Sequence, residues 1–436
     1  METAGLEPLL ELLRIPSVSA DPAHAADVGR ALEWVATYVE GCDGSAEITG
    51  GLVVGEVRAS KGRDAPTVLV YGHVDVQPPA PLELWETPPF EPTVHDGWLY
   101  CRGVADDKGQ LWLLLDAVRE LAAAGTLPVN VRVLCDAEEE IGGTSAADWV
   151  GRDAQGADAC VIFDTAMLQG NVPAFYLGTR GTAYFHLTVE TNRRDVHSGV
   201  FGGAGLNAMH ALVTALEAVL PRDGSLPTVL HEGTIAPDEV EIASWTSLPT
   251  GAAALADQGV LPADPRAAAD FYRRTWAETS LDVNGIEGGS PHLMKTIVPA
   301  RAQANLSMRL AYGQSVAQIG ASLERLLVDA APAGAHLRLD LLAECEASLT
   351  AADSPAITLA QTAFEQVVGT RPVLVRSGGS LPVAPALEAR GIPFVITGFD
   401  VPDGNVHAPN ERFRLDYLEL GRHAARQVLS AYAGLP

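Results

Sequence analysis

Apolar runs that stop abruptly on histidine, aspartate or glutamate set the strongest constraint on this chain. The run 67–71 gives way to His73 and Asp75 in YGHVDVQP, and 129–135 gives way to Glu138, Glu139 and Glu140. The run 159–163 is followed by Asp164, and His407 lies in the loop beyond 393–397. These runs are short and rich in Val, Ile and Leu, as expected of strands buried on both faces. Helical spacing marks 4–14, 25–40 and 108–124, the last stopped by Gly125, and Thr144 stands where it can cap another helix. Strands alternating with helices predict an open α/β sheet, in which ligands collect at the carboxyl ends of the strands. Asp106 and Asp107, just ahead of the helix starting at Lys108 in RGVADDKG, join the same edge.

The character of the chain changes near Gly178. Residues 182–190 alternate apolar and polar side chains, the signature of a half-exposed antiparallel strand. A helix is expected over 206–220 and strands over 301–310 and 336–342. The α/β style then returns, with helix 355–368, strand 372–376, helix 382–390, strand 393–397 and helix 416–433. The length of 436 residues exceeds what one core usually serves. The expected fold class is therefore α/β: a mostly parallel-sheet domain with helices on both faces, formed by 1–179 and 347–436 and interrupted by an inserted α+β domain over 180–346. No internal repeat or low-complexity linker is visible.

Charge narrows the partners. Against 55 Asp and Glu there are 29 Lys and Arg, a formal charge of -26, which repels phosphate backbones and anionic membranes. No nucleic-acid or membrane partner is expected, although solubility alone accounts for such a surface. The five cysteines (Cys42, Cys101, Cys135, Cys160 and Cys345) are odd in number and widely spaced, with no CxxC pair. That argues against a disulfide framework and for a reducing compartment. No signal peptide and no apolar run of about 20 residues is seen, so a cytoplasmic location is expected.

Taken singly, each acidic or imidazole signal has a plain explanation. An HxD triplet is commonplace, and a lone histidine is usually structural. Acids ahead of a helix complement its dipole, and three successive glutamates usually form a solvated face. A solvated face does not abut a buried strand, however, and like charges crowded there repel unless a cation offsets them. Carboxylates at Asp106, Glu140 and Asp164 with neutral His73 and His407 would balance two divalent ions and one hydroxide. Oxygen and imidazole donors without cysteine suit zinc, and also manganese or cobalt.

The segments GHVDVQP, RGVADDKG, EEEIGG, DVHSGVFGG, RSGGS and DGNVHAPNE together resemble the dinuclear zinc peptidase and deacylase family of carnosinases, cytosolic dipeptidases, glutamate carboxypeptidases and acetylornithine deacetylases. The resemblance spans residues 72 to about 411 and is nearest to the dipeptidase branch. It implies that His73 and Asp164 hold one ion, His407 and Glu140 the other, and that Asp106 bridges both across a cis peptide to Asp107. It assigns Asp75 to orienting the His73 ring and Glu139 to general-base catalysis on a bridging water. His197, in DVHSGVFGG, resembles an imidazole that stabilises the oxyanion from the partner subunit, which makes the inserted domain a lid and homodimer contact. Arg309 is implied to bind a substrate carboxylate, and Ser380 with the Gly378–Gly379 amides, just before a helix, to suit an anion. The residues alone favour plainer readings: His197 as a capping or loop residue, Arg309 as a surface strand charge and Gly378–Ser380 as a tight turn. Ala137 and Cys101 stand where relatives often carry Gly, and neither change removes a proposed ligand.

These expectations converge on a hydrolase that cuts dipeptides or short peptides with a free carboxylate. An N-acyl amino acid deacylase would use the same site. A non-catalytic metal-dependent peptide-binding protein is the alternative of another class, and Glu139 beside Glu140 speaks against it.

Overall fold

The computed structural model describes residues 5–60, 62, 64–168 and 172–436, so the first position of the helix expected over 4–14 lies outside the described residues. The described chain divides into two compact units. The first comprises the residues up to Gly178 together with Leu349–Val375 and Pro382–Pro436; the second comprises Thr179–Ser348 and Arg376–Leu381.

Four strands of the first unit lie side by side and parallel, in the order Asn130–Asp136, Thr67–His73, Ala159–Phe163, Phe394–Thr397. Their side chains are almost wholly buried, which accounts for the unbroken apolar runs. The hairpin Ser45–Thr49 and Leu52–Val57 continues the sheet antiparallel beyond Asn130–Asp136, and Ala174–Thr179 lies antiparallel beyond Phe394–Thr397. Thr67–His73 comes first of the four in the chain yet is flanked on both sides by later strands. Its carboxyl end is thus a point where strand order reverses, the usual place for a ligand in an open sheet.

Helices Lys108–Ala123, Pro355–Val368 and Leu415–Ala431 pack together over this sheet, and Ser145–Arg152 packs on Val383–Ala389. Thr144 does occupy the N-cap of Ser145–Arg152, but its side chain makes no cap bond. Phe163, Phe175, Phe364 and Phe399 form an aromatic knot in the core, with ring centroids 4.9 to 6.1 Å apart. Phe163 directly precedes Asp164, so the knot also steadies a strand end that carries an acid.

The second unit is an antiparallel sheet in the order Ser280–Glu287, Arg301–Leu310, Gly181–Glu190, His336–Cys345. Alternate residues of its two central strands, among them Phe185, Leu187, Leu306 and Met308, join a core with helices Ala208–Glu217 and Val316–Ala330. The polar residues between them, including Thr182, His186, Ser307 and Arg309, face away from that core.

Truncating Phe364 to alanine removes the centre of the aromatic knot without touching an ionisable group. A loss of about 3–5 kcal/mol is expected, read as a lower denaturant midpoint. A loss below about 1 kcal/mol would mean that the knot is not tightly packed.

Candidate metal centre

The buried run of Thr67–His73 ends with His73 itself in the strand, fully buried. Nδ1 of its ring lies 3.1 Å from the Asp75 carbonyl oxygen and 3.3 Å from Asp75 Oδ1. Nε2 therefore points the other way, toward Asp106 Oδ1 at 3.0 Å, Asp164 Oδ1 at 3.7 Å and Glu139 Oε2 at 4.0 Å. Asp75 Oδ2 accepts from Ser19 Oγ and from the Glu140 amide, tying the HVD segment to the glutamate turn.

Across the cluster, His407 Nε2 lies 2.9 Å from Asp106 Oδ2 and 3.1 Å from Glu140 Oε2. The two oxygens of Asp106 thus face two different imidazoles. The Asp106–Asp107 peptide is cis, as the resemblance implies. Among the described residues, two groups have donor atoms within 4.8 Å of one another: His73, Asp107 and Asp164, and Asp106, Glu140 and His407.

Asp107 and Gln77 were not assigned from sequence. Asp107 sits at the N-cap of Lys108–Ala123 but makes no cap bond. Its Oδ2 accepts from the His73 amide at 3.0 Å, and its buried Oδ1 has no partner. Gly72 leaves room for this carboxylate, since a Cβ there would come within 2.6 Å of Asp107 Oδ2. Gln77 donates from Nε2 to Glu140 Oε2 at 2.8 Å and from its amide to Glu140 Oε1 at 3.1 Å. Its only signal in the sequence is its place in GHVDVQP.

Electrostatics show what the cluster lacks. Burial pushes Glu139 up to about 8, with Asp164, Asp106 and Glu140 adding repulsion and His73 opposing it. Burial likewise raises Asp164 to about 6 and holds Asp107 well above the carboxylate range. Contacts with Asp106 and Glu140 raise His407 to about 10. For His73, burial works downward but is outweighed by Asp106, Asp164 and Asp75, so the ring stays well above its ordinary value. Excess negative charge is being met by protons on imidazole. Together with the unpartnered Asp107 Oδ1 and an all-oxygen and imidazole donor set, this fits a site for divalent cations.

The remaining expected site residues belong to the second unit. Arg309 Nη1 donates to Ser380 Oγ at 3.1 Å, and Ser380 Oγ donates to the Arg180 carbonyl. Among the described residues Arg309 has no acidic partner, and its charge together with burial lowers the Arg180 guanidinium to about 10, burial being the larger cause. The Gly379 amide donates to Ser377 Oγ, so it is already engaged. His197, exposed on a different element, caps the short helix Ser198–Phe201: its Nδ1 accepts from the Gly199 amide at 2.9 Å. That bond leaves the proton on Nε2, a donor free to act outward.

The sequence profile of peptidase family M20/M25/M40 matches residues 69–431. The chain belongs to this family. It is accordingly an enzyme. A cysteinylglycine-S-conjugate dipeptidase of Corynebacterium striatum is 28% identical over 92% of this chain and 90% of its own. Human Beta-Ala-His dipeptidase is 28% identical over 81% of this chain and 72% of its own. In fold, an M20 family metallo-carboxypeptidase from Sulfolobus solfataricus superposes with a TM-score of 0.85 at 23% identity, covering 98% of this chain and 99% of that one. No helix among the described residues is long and apolar enough to cross a membrane.

The raised imidazoles generate a pH prediction. Because the folded value of His407 lies above its ordinary 6.5, its contacts stabilise the metal-free protein fully below that pH and cease to as pH rises through about 10. A ligand imidazole must be neutral, so uptake of divalent metal at pH 7 is expected to expel protons, fewer as pH approaches 10. Calorimetry in buffers of different ionisation heat counts them; uptake at pH 7 with no proton release would contradict this account.

Proposed function

We propose that the chain is a metal-dependent hydrolase that cleaves the peptide bond of dipeptides or short peptides bearing a free C-terminal carboxylate. The observation that carries the reading is Asp106, whose two oxygens face His73 on one side and His407 on the other. In this reading His73, Asp106, Glu140, Asp164 and His407 hold two divalent ions, zinc first and manganese or cobalt next. Such ions supply Lewis-acid polarisation of a carbonyl and lower the pKa of a water between them.

The chain's own groups do the rest. Glu139 lies 4.0 Å from His73 Nε2, and burial holds it near the pH at which a carboxylate both takes and returns a proton. Its part is to accept the proton of the attacking water and pass it to the leaving amine. Asp75 fixes the His73 ring so that Nε2 faces the acids. His197, donating from Nε2, stabilises the oxyanion, and it does so from the partner subunit of a homodimer built on the insert 180–346. Arg309 with Ser380 and the Gly379 turn takes the substrate carboxylate; a guanidinium without an acidic partner among the described residues favours that charge. Residues 1–179 and 347–436 make the catalytic domain. The setting is cytoplasmic, where the five free thiols remain reduced.

Glu139→Gln keeps the shape of the site but cannot accept a proton. Turnover is expected to fall about 100- to 10,000-fold with metal content unchanged. Assayed on a panel of dipeptides and N-acyl amino acids with zinc, manganese or cobalt, the unaltered enzyme should release amine from dipeptides first. Preference for N-acyl amino acids would assign the site to a deacylase, and no turnover of either would favour a binding protein.

The partner assignment of His197 has its own test. An equimolar mixture of His197→Ala and Glu139→Gln protomers should regain about a quarter of wild-type activity, because about half of the dimers are then mixed and one of their two sites combines intact Glu139 with an intact His197 from across the dimer. If His197 serves its own protomer, mixing restores nothing.

A further inference from the structure

Arg102 and Glu411 come from RGVADDKG and DGNVHAPNE, the segments that also supply Asp106 and His407. Both are sealed from solvent, at 1% and 0% exposure. Arg102 Nη1 donates to Glu411 Oε2 at 2.7 Å. The same carboxylate receives the Gly103 amide on Oε2 at 3.0 Å, and the Ala105 and Asp106 amides on Oε1 at 2.8 and 3.2 Å. All three amides belong to the turn that presents Asp106. Through its second terminal nitrogen, Nη2, Arg102 donates to the carbonyl of Ala408, the residue after His407.

A buried ion pair is a weak source of stability, because the cost of desolvating both charges offsets their attraction. Four donors converging on one sealed carboxylate therefore call for another account. His407 also holds a left-handed backbone, φ +60°, which a non-glycine residue keeps only where its surroundings enforce it.

We propose that the Arg102–Glu411 pair is a positioning device that sets Asp106 and His407 at the spacing of a single cation centre. Glu411 fixes the backbone of Ala105 and Asp106, and Arg102 pins the carbonyl beside His407, so Asp106 Oδ2 and His407 Nε2 meet at 2.9 Å. The inference rests on the metal-dependent reading above. It makes a chemical demand that an amide cannot meet: glutamine offers one oxygen where two are used, and its NH2 would face N–H donors.

The test uses the full-length protein stripped of metal and titrated with Co2+ or Zn2+ by calorimetry. Glu411→Gln and Arg102→Lys are compared with Asp153→Asn, which breaks the Arg132–Asp153 ion pair, whose bonds reach none of the cluster residues. Expected for both pair variants is a 10- to 100-fold weaker second equivalent of metal, with lost turnover recovered in excess metal. Asp153→Asn should lower the unfolding temperature while leaving both equivalents at wild-type affinity. The proposal is overturned if Glu411→Gln behaves like Asp153→Asn, destabilised yet unchanged in metal affinity. Failure of both pair variants to fold would overturn it too, by placing the pair in the scaffold. If the wild-type protein itself takes up no divalent ion, the metal-dependent reading falls first and this inference with it.

Discussion

Crowded negative charge governs the first unit. Asp106, Asp107, Glu139, Glu140 and Asp164 are drawn in around two imidazoles where water screens them only in part. Such an arrangement is unfavourable by itself: burial first and mutual repulsion second raise Glu139, Asp164 and Asp107, and contacts with neighbouring acids raise His73 and His407. Neighbouring details serve to hold the acids in place against that repulsion. Gly72 makes room for Asp107, Gln77 grips Glu140, and the amides of His73 and Glu140 each donate to a carboxylate. The cost is carried by a large apolar core beneath, in which no cluster residue except His73 sits within a strand.

How much of this was legible in the sequence follows from which physical signals are local. Parallel strands buried on both faces leave unbroken apolar runs, so the strands ahead of His73, the glutamate turn and Asp164 stand out. A charge run abutting such a strand is anomalous, and that anomaly marked the cluster. The fate of Asp107 was not legible. An acid that caps a helix and an acid that turns back to meet the His73 amide occupy the same sequence position, and only the backbone path separates them. Gln77 carries no charge and so gave no signal beyond its neighbours.

Other parts were missed for want of pattern. The hairpin Ser45–Thr49 and Leu52–Val57 turns on Gly50–Gly51, both at positive φ, but its outer strand is mostly exposed and shows no clear alternation. Between 228 and 276 the helices Glu239–Trp245, Gly251–Asp257 and Phe271–Trp276 are each too short to establish a period. The order of the parallel strands depends on contacts between distant segments, and no local signal encodes it.

The second unit follows a different rule, and the difference bears on substrate. Its sheet buries one face only, so every second residue of Arg301–Leu310 is free to be polar, and Arg309 takes such a position opposite Thr182. The chain carries a formal charge of -26, and Arg309 has no acidic partner among the described residues. A ligand with net negative charge is repelled by the chain as a whole before it meets Arg309. A dipeptide carries an ammonium as well as a carboxylate, so it approaches without that penalty and still offers the group a guanidinium binds. On the proposed reading, the acidic surface and the cationic contact at Arg309 are therefore compatible features of one selectivity, favouring zwitterionic peptides over N-acylated acids, whose amine charge is lost.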